Sequence, residues 1–338
     1  MMELSISLVS WGKLMRAFWP LTRRFALFAV LCTLLQAPTI SVASAAAAVP
    51  PLVDVAWLLE NAGNDDLVVV DVRNELSEGS EAVYRAGHIP GAVYSNYLKA
   101  GWRTEIDGVP AQLPRPETLE ALIGELGISN DSHVVVVSAG SDALDVSSAA
   151  RVYWTFKTVG HDRVSILDGG YRAYIADGAN PVETGWVDPL PDIFEVVLRP
   201  ELLADRAAVA TARQAGQPLV DSRPPEYFQG KERHTWAKRA GTIPGAVSLP
   251  DHLMVEEDGH VVSAARGAEL LQGLGVLAAD GTARDTIYFC NTGHWSALAW
   301  FIQSELLGQT NARVYDGSMV DWTAEPAQPV LLGAASTE

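Results

Sequence analysis

The chain has 338 residues, of which 48% are hydrophobic and 19% charged, and its 41 acidic side chains outnumber 24 basic ones for a net charge of −17. That length exceeds one ordinary domain and fits two, and the composition suits packed cores rather than disorder. The negative balance argues against nucleic acid as a partner, because phosphate contacts need a basic surface.

In chain order, residues 1–45 read as a processing segment. Lys13, Arg16, Arg23 and Arg24 make a basic start, "FALFAVLCTLL" (residues 25–35) is an apolar core too short for a comfortable membrane span, and Ala43-Ser44-Ala45 suits signal peptidase. The expectation is a cleavable signal peptide and a periplasmic or secreted mature protein. No later apolar stretch is long enough to cross a bilayer, so no stable span is expected after cleavage. Removal of those four basic residues and Glu3 leaves 20 basic against 40 acidic, a net of −20. It also removes Cys32, so Cys290 stands alone and no internal disulfide can form. In an oxidising compartment a lone thiol is either buried and inert or kept for chemistry.

From residue 50 onward, short β-branched runs alternate with helical patterns. Val68 to Val70 and Val134 to Val137 read as strands buried on both faces, and residues 115–127 and 147–160 as helices. A stretch rich in Pro and Gly with little periodicity follows, and residues 183–197 are taken as a linker between a first domain at 50–182 and a second at 198–330. The second domain carries helix patterns at 264–275 and 296–308.

The two halves repeat each other. "LVVVDVR" (67–73) returns as "PLVDSR" (218–223), and "RAGHIPGAV" (85–93) as "RAGTIPGAV" (239–247). "HVVVVSAG" (133–140) returns as "TIYFCNTG" (286–293), and "VSILDGG" (164–170) as "ARVYDGS" (312–318). Four blocks in one order at nearly one spacing mean duplication of a domain. The expected fold class is α/β: two tandem domains, each a mostly parallel sheet with helices on both faces.

These blocks resemble the rhodanese superfamily, specifically two-domain sulfurtransferases of the thiosulfate and 3-mercaptopyruvate type. The D-x-R after the first strand, the R-A-G-[HT]-I-P-G-A turn, the cysteine loop and the late [LY]-D-G-[GS] stand in family order over nearly all of the chain beyond the signal. The resemblance implies rhodanese-like domains with the active cysteine, Cys290, in the second copy; Ser138 holds its place in the first, which is expected to be silent because a hydroxyl cannot form a persulfide. It implies transfer of a sulfane sulfur from a small anionic donor, through a Cys290 persulfide, to a thiol, cyanide or thioredoxin-like acceptor, with no cofactor.

A nucleophilic cysteine needs thiolate character, and an ordinary thiol titrates near 8.5 unless a helix N-terminus or a cation favours its anion. The loop Asn291, Thr292, Gly293, His294, Trp295 and Ser296, between a strand end and a helix start, offers backbone N–H groups that can stabilise a thiolate or persulfide. His294 is either a group that stabilises the donor or protonates a leaving group, or an exposed loop residue. Trp295 is either a pocket wall or helix-start packing. Both depart from the commoner family loop, which leaves thiosulfate and 3-mercaptopyruvate open as donors. Cations for the donor are sought in Arg223, Lys231 and Arg239, the last two in a basic stretch with Arg233, His234 and Lys238; the bland reading is a structural Arg223 paired with an acidic residue elsewhere and a solvated loop. Asp71, Asp221, Asp168 and Asp316 read as architectural. The His residues are scattered without ligand spacing, so no metal is expected. Phosphatase chemistry on this fold would want an arginine just after the loop, where Ser296 stands instead. A non-turnover sulfur carrier loaded by a partner protein is the remaining alternative.

Overall fold

The computed structural model describes residues 49–77 and 79–335. The signal peptide expected over residues 1–45, with Cys32 inside it, lies outside the described residues. No helix among the described residues is long and apolar enough to cross a membrane.

The strands of the first half are β1 (Leu52–Val53), β2 (Leu67–Asp71), β3 (Val93–Tyr94), β4 (Thr104–Ile106), β5 (Val109–Gln112), β6 (His133–Val137) and β7 (Val164–Leu167). Those of the second half are β8 (Leu203–Ala204), β9 (Leu219–Asp221), β10 (Val247–Ser248), β11 (Thr286–Phe289) and β12 (Ala312–Tyr315). Two five-stranded sheets form, in the orders β1-β7-β6-β2-β3 and β8-β12-β11-β9-β10, and every pairing within them is parallel. Each position in one order has its counterpart in the other, so the repeat read in the sequence is a repeat of topology. The first half adds a separate antiparallel hairpin, β4–β5, closed by Asp107-Gly108. Both of those residues take positive φ (51° and 80°), as a two-residue hairpin turn of this hand demands.

Burial explains why the strands read as continuous apolar runs. Val134 and Val136 point into one cluster, whereas Val135 and Val137 point into another beneath Leu58 and Tyr174. In the second half Tyr288 faces the first of these clusters, and Ile287 and Phe289 pack with Val209 and Trp322 on the far side. The shared middle cluster joins the two sheets. It is built largely from the helices Ala143–Thr158 and Trp295–Phe301, which are buried nearly all round.

Helix ends follow their caps. The helix expected at 147–160 starts four residues earlier, because the Asp142 side chain accepts the Asp145 N–H at 2.9 Å. The helix expected at 264–275 runs Ala264–Gly273 with Ser263 as its cap, and that expected at 115–127 runs Pro116–Glu125. The pattern at 296–308 is not one α-helix: it changes after Phe301 into a π-helical turn, Ile302–Leu306. The connecting stretch expected at 183–197 is strapped to the first half rather than hanging free. Gly185, Asp192 and Val197 donate their amides to Arg85, Gly124 and Val159 carbonyls.

Candidate active site

The D-x-R and G-[HT]-I-P-G motifs prove to be one device. In the second half Arg223 folds back on Asp221 (Nη2–Oδ2 2.6 Å, Nε–Oδ1 2.8 Å), and its Nη2 also donates to the Gly241 carbonyl at 2.8 Å. Arg73 does the same with Asp71 and Gly87. A strand end and a distant turn are thereby locked around a buried, fully hydrogen-bonded ion pair. The expected partner elsewhere in the fold is replaced by the carboxylate two residues back. Arg223 reaches the cysteine loop only through Asn291, whose Oδ1 lies 3.4 Å from Nη1.

Cys290 stands one residue past β11 and is fully buried. Its sulfur accepts the His294 N–H at 3.1 Å, and the Ser296 hydroxyl points to it at 3.7 Å. The Cys290 and Gly293 amides do not turn to the sulfur; both donate to the Ser318 hydroxyl oxygen at 3.1 Å, and that hydroxyl donates to the Tyr315 carbonyl at 2.7 Å. Ser318 holds φ 49° to do so, a left-handed conformation that costs a side-chain residue about 1 kcal/mol or more. The Cys290 and Asn291 carbonyls accept the Met319 and Val320 amides, which completes the seam between the loop and the helix Ser318–Ala324. Gly293 takes φ 73°, and a Cβ there would lie 2.3 Å from Arg151 Nη1 and 2.7 Å from Asp316 Oδ1. Only glycine fits.

His294 is not an exposed loop residue. It is buried, and both ring nitrogens are engaged: Nε2 with the Leu144 carbonyl at 2.7 Å and Nδ1 with the Tyr97 hydroxyl at 2.7 Å. A carbonyl only accepts, so Nε2 carries the hydrogen and Nδ1 receives the Tyr97 O–H. Burial, then the Arg103 charge, pushes its pKa down to about 3, and the ring is neutral at neutral pH. Trp295 is half-buried beside His294 at the start of its helix and lines a cavity of about 590 Å³ with Asp142, Leu144, Asp251 and His252.

The loop is also held from the other half of the molecule. Arg151, fully buried in the helix Ala143–Thr158, donates from Nη1 to the Gly293 carbonyl at 3.0 Å. The same nitrogen lies 2.6 Å from Asp316 Oδ1, an ion contact off the N–H axis, and Asp316 Oδ2 accepts the Leu113 amide at 2.6 Å. Asp316 is thus a tie between halves.

These two copies match the rhodanese-like domain family at residues 54–177 and 205–325. The chain belongs to the rhodanese family. It is 32% identical over 293 residues to a protein of Saccharopolyspora erythraea named "Putative thiosulfate sulfurtransferase", with 82% of this chain and 95% of that one covered. It is 29% identical over 293 residues to the "Sulfur carrier protein TtuD" of Thermus thermophilus, covering 83% and 96%. Among solved structures it is similar to the 3-mercaptopyruvate sulfotransferase SseA of Escherichia coli, with 28% identity, a TM-score of 0.67, and coverage of 80% of this chain and 99% of that one. The EanB–ergothioneine complex shares the fold at 22% identity and a TM-score of 0.72, covering 85% and 71%.

In the first rhodanese copy the loop after β6 has a different occupant. The Asp145 carboxylate accepts the amides of Ala139 (3.2 Å), Gly140 (2.6 Å) and Ser141 (3.3 Å) and the Ser77 hydroxyl at 2.9 Å. These three successive amides form an anion nest that the chain fills itself. Counting from Ser138 and Cys290, the residue in the place of Asp145 is Ala297.

The remaining cations that the sequence singled out are dispersed. Arg239 donates to the Gln328 and Glu325 carbonyls at 2.7 and 2.8 Å, and so fastens the end of the second rhodanese domain. Lys231 is exposed at the surface, and Arg233 is turned onto the Ala237 carbonyl. His234 is half-buried, and its pKa is lowered by burial and then by the charges of Arg103, Arg223 and Arg233. Sequence reasoning missed Tyr97, Arg103, Arg151 and Ser318. The first three come from the other copy. Ser318 was visible only as the last letter of "YDGS".

Proposed function

We propose that the protein is a sulfurtransferase that carries a sulfane sulfur on Cys290. The observation that carries this reading is the cysteine's place: a buried sulfur at a strand end receiving the His294 N–H at 3.1 Å, where the first copy stores a carboxylate on the corresponding turn. A turn that holds one anion in one copy suits a thiolate and its persulfide in the other. With thiosulfate as donor, the Cys290 thiolate attacks the outer sulfur, the donor's S–S bond breaks, and its electron pair leaves with sulfite. The new perthiolate then gives its outer sulfur to a thiophilic acceptor such as cyanide, and the thiolate returns. No redox partner or metal is needed for either step, and no protonated leaving group is needed from His294.

The names of the similar proteins support both thiosulfate and 3-mercaptopyruvate as donors to test. Because Cys290 is fully buried, the donor reaches the sulfur only when neighbouring side chains shift. Intact-mass analysis after incubation with each donor should show a species one sulfur heavier, absent in Cys290→Ser and discharged by cyanide. A wild-type mass that no donor changes would sink the reading. The likeness to a named sulfur carrier favours a second reading, in which a partner protein loads Cys290 once. Repeated turnover with a small donor separates the two.

A further inference from the structure

One more cation lies near the cysteine loop, and it comes from the copy without a thiol. Arg103 stands between the buried Trp102 and β4, at the foot of the first copy's hairpin. Its guanidinium lies over the ring of the fully buried Tyr97, 4.4 Å from the centroid. Tyr97 in turn is bonded to His294 of the cysteine loop. His234 of the second domain, like His294, feels the Arg103 charge.

The Arg103 Nε is buried with no hydrogen-bond partner, and no ion pair or hydrogen bond joins this guanidinium to a described residue. The contrast with its neighbours is chemical. Arg73, Arg151 and Arg223 are buried, whereas Arg103 is half-buried, and each of those three has a carboxylate within 2.6 Å. In a chain with 41 acidic residues against 24 basic ones, acidic partners are plentiful, yet Arg103 is left facing an aromatic ring. A ring face offsets only part of what a guanidinium loses on leaving water. The group therefore keeps unused N–H donors in a fork that matches a planar or tetrahedral oxyanion.

We propose that Arg103 is a donor-binding residue, supplied by the thiol-less copy, that holds the oxyanion end of the sulfur donor while Cys290 attacks its outer sulfur. The proposal rests on the persulfide reading above, but its central claim, an anion site beside Cys290, is measurable without turnover. Calorimetric titration of thiosulfate into Cys290→Ser should show binding, and Cys290→Ser/Arg103→Gln should bind about 10- to 100-fold more weakly, the range expected for a lost charge-assisted contact. In the otherwise wild-type chain, Arg103→Gln should raise KM for thiosulfate by a similar factor and leave KM for cyanide alone. Arg103→Lys should recover part of the loss.

Equal affinities with and without Arg103, or no thiosulfate binding by Cys290→Ser, overturn the proposal. Since Arg103 makes no internal hydrogen bond, Arg103→Gln should keep the wild-type Tm; a variant that fails to fold makes the residue a strut and overturns it as well. Arg103-dependent binding in a protein that never takes up sulfur would leave the anion site standing and remove the persulfide mechanism.

Discussion

A histidine four residues past a cysteine invites a role in proton transfer, but His294 is buried with both ring nitrogens engaged. Its Nε2–H is spent on the Leu144 carbonyl and its Nδ1 on the Tyr97 hydroxyl, so the side chain serves to place its own backbone N–H against the sulfur. This has a consequence for stability. The folded pKa is about 3 against an ordinary 6.5, chiefly through burial. The unfolded chain therefore binds a proton that the folded one refuses. The stability due to neutral His294 is complete above pH 6.5 and is lost as pH falls toward 3, at about 1.4 kcal/mol per pH unit. Urea unfolding at pH 7 and pH 5 should show wild type losing about 2 kcal/mol more than His294→Gln, which keeps one donor and one acceptor but does not titrate. An equal loss in both proteins would mean that the imidazole is already accessible to protons in the fold.

At the scale of elements, the site depends on two helices that each begin after an equivalent loop and pack against each other. Arg151 on the first reaches Gly293 before the second, and Asp316 after β12 neutralises it. Breaking a buried pair from one side leaves the other charge stranded, at a cost of about 3–5 kcal/mol. Arg151→Met should therefore destabilise the protein by that order, and Arg151→Met/Asp316→Asn should recover part of it. A double-mutant cycle that closes with no coupling would show that the two groups act independently. Sequence periodicity revealed these helices and strands because apolar runs and caps are local. Duplication revealed the loop, because the two halves could be laid over each other. The Arg151–Gly293 contact spans 142 positions and Tyr97–His294 spans 197, and nothing local marks either partner. Arg223 is structural and paired with a carboxylate as expected, but its partner, Asp221, stands two residues back rather than elsewhere in the fold. The π-helical turn after Phe301 escaped because an apolar stripe at helical spacing does not distinguish 3.6 residues per turn from a local widening.

At the scale of the whole molecule, the question is how the two copies differ at the loop after the central strand. The plain difference is thiol against hydroxyl, Cys290 against Ser138, and it suggests that one substitution could wake the first copy. The structure argues against this. The first loop's amides are held by Asp145, a carboxylate whose pKa burial raises even as the Gly140 amide works to lower it. A thiolate or perthiolate introduced beside it would share the nest with a group already using its donors, and two anions on one turn repel. The second copy has Ala297 in that place and leaves the turn to the sulfur. In a Cys290→Ser background, Ser138→Cys should therefore gain no sulfur from thiosulfate by intact mass, while Ser138→Cys/Asp145→Ala should gain one, if slowly. Loading of Ser138→Cys with Asp145 in place would mean that the thiol alone separates the copies. The cross-domain cation also acts in one direction: Arg103 belongs to the hairpin of the first copy and serves the loop of the second. The thiol-less copy is then half of the site, and its closed nest keeps the chemistry on one sulfur.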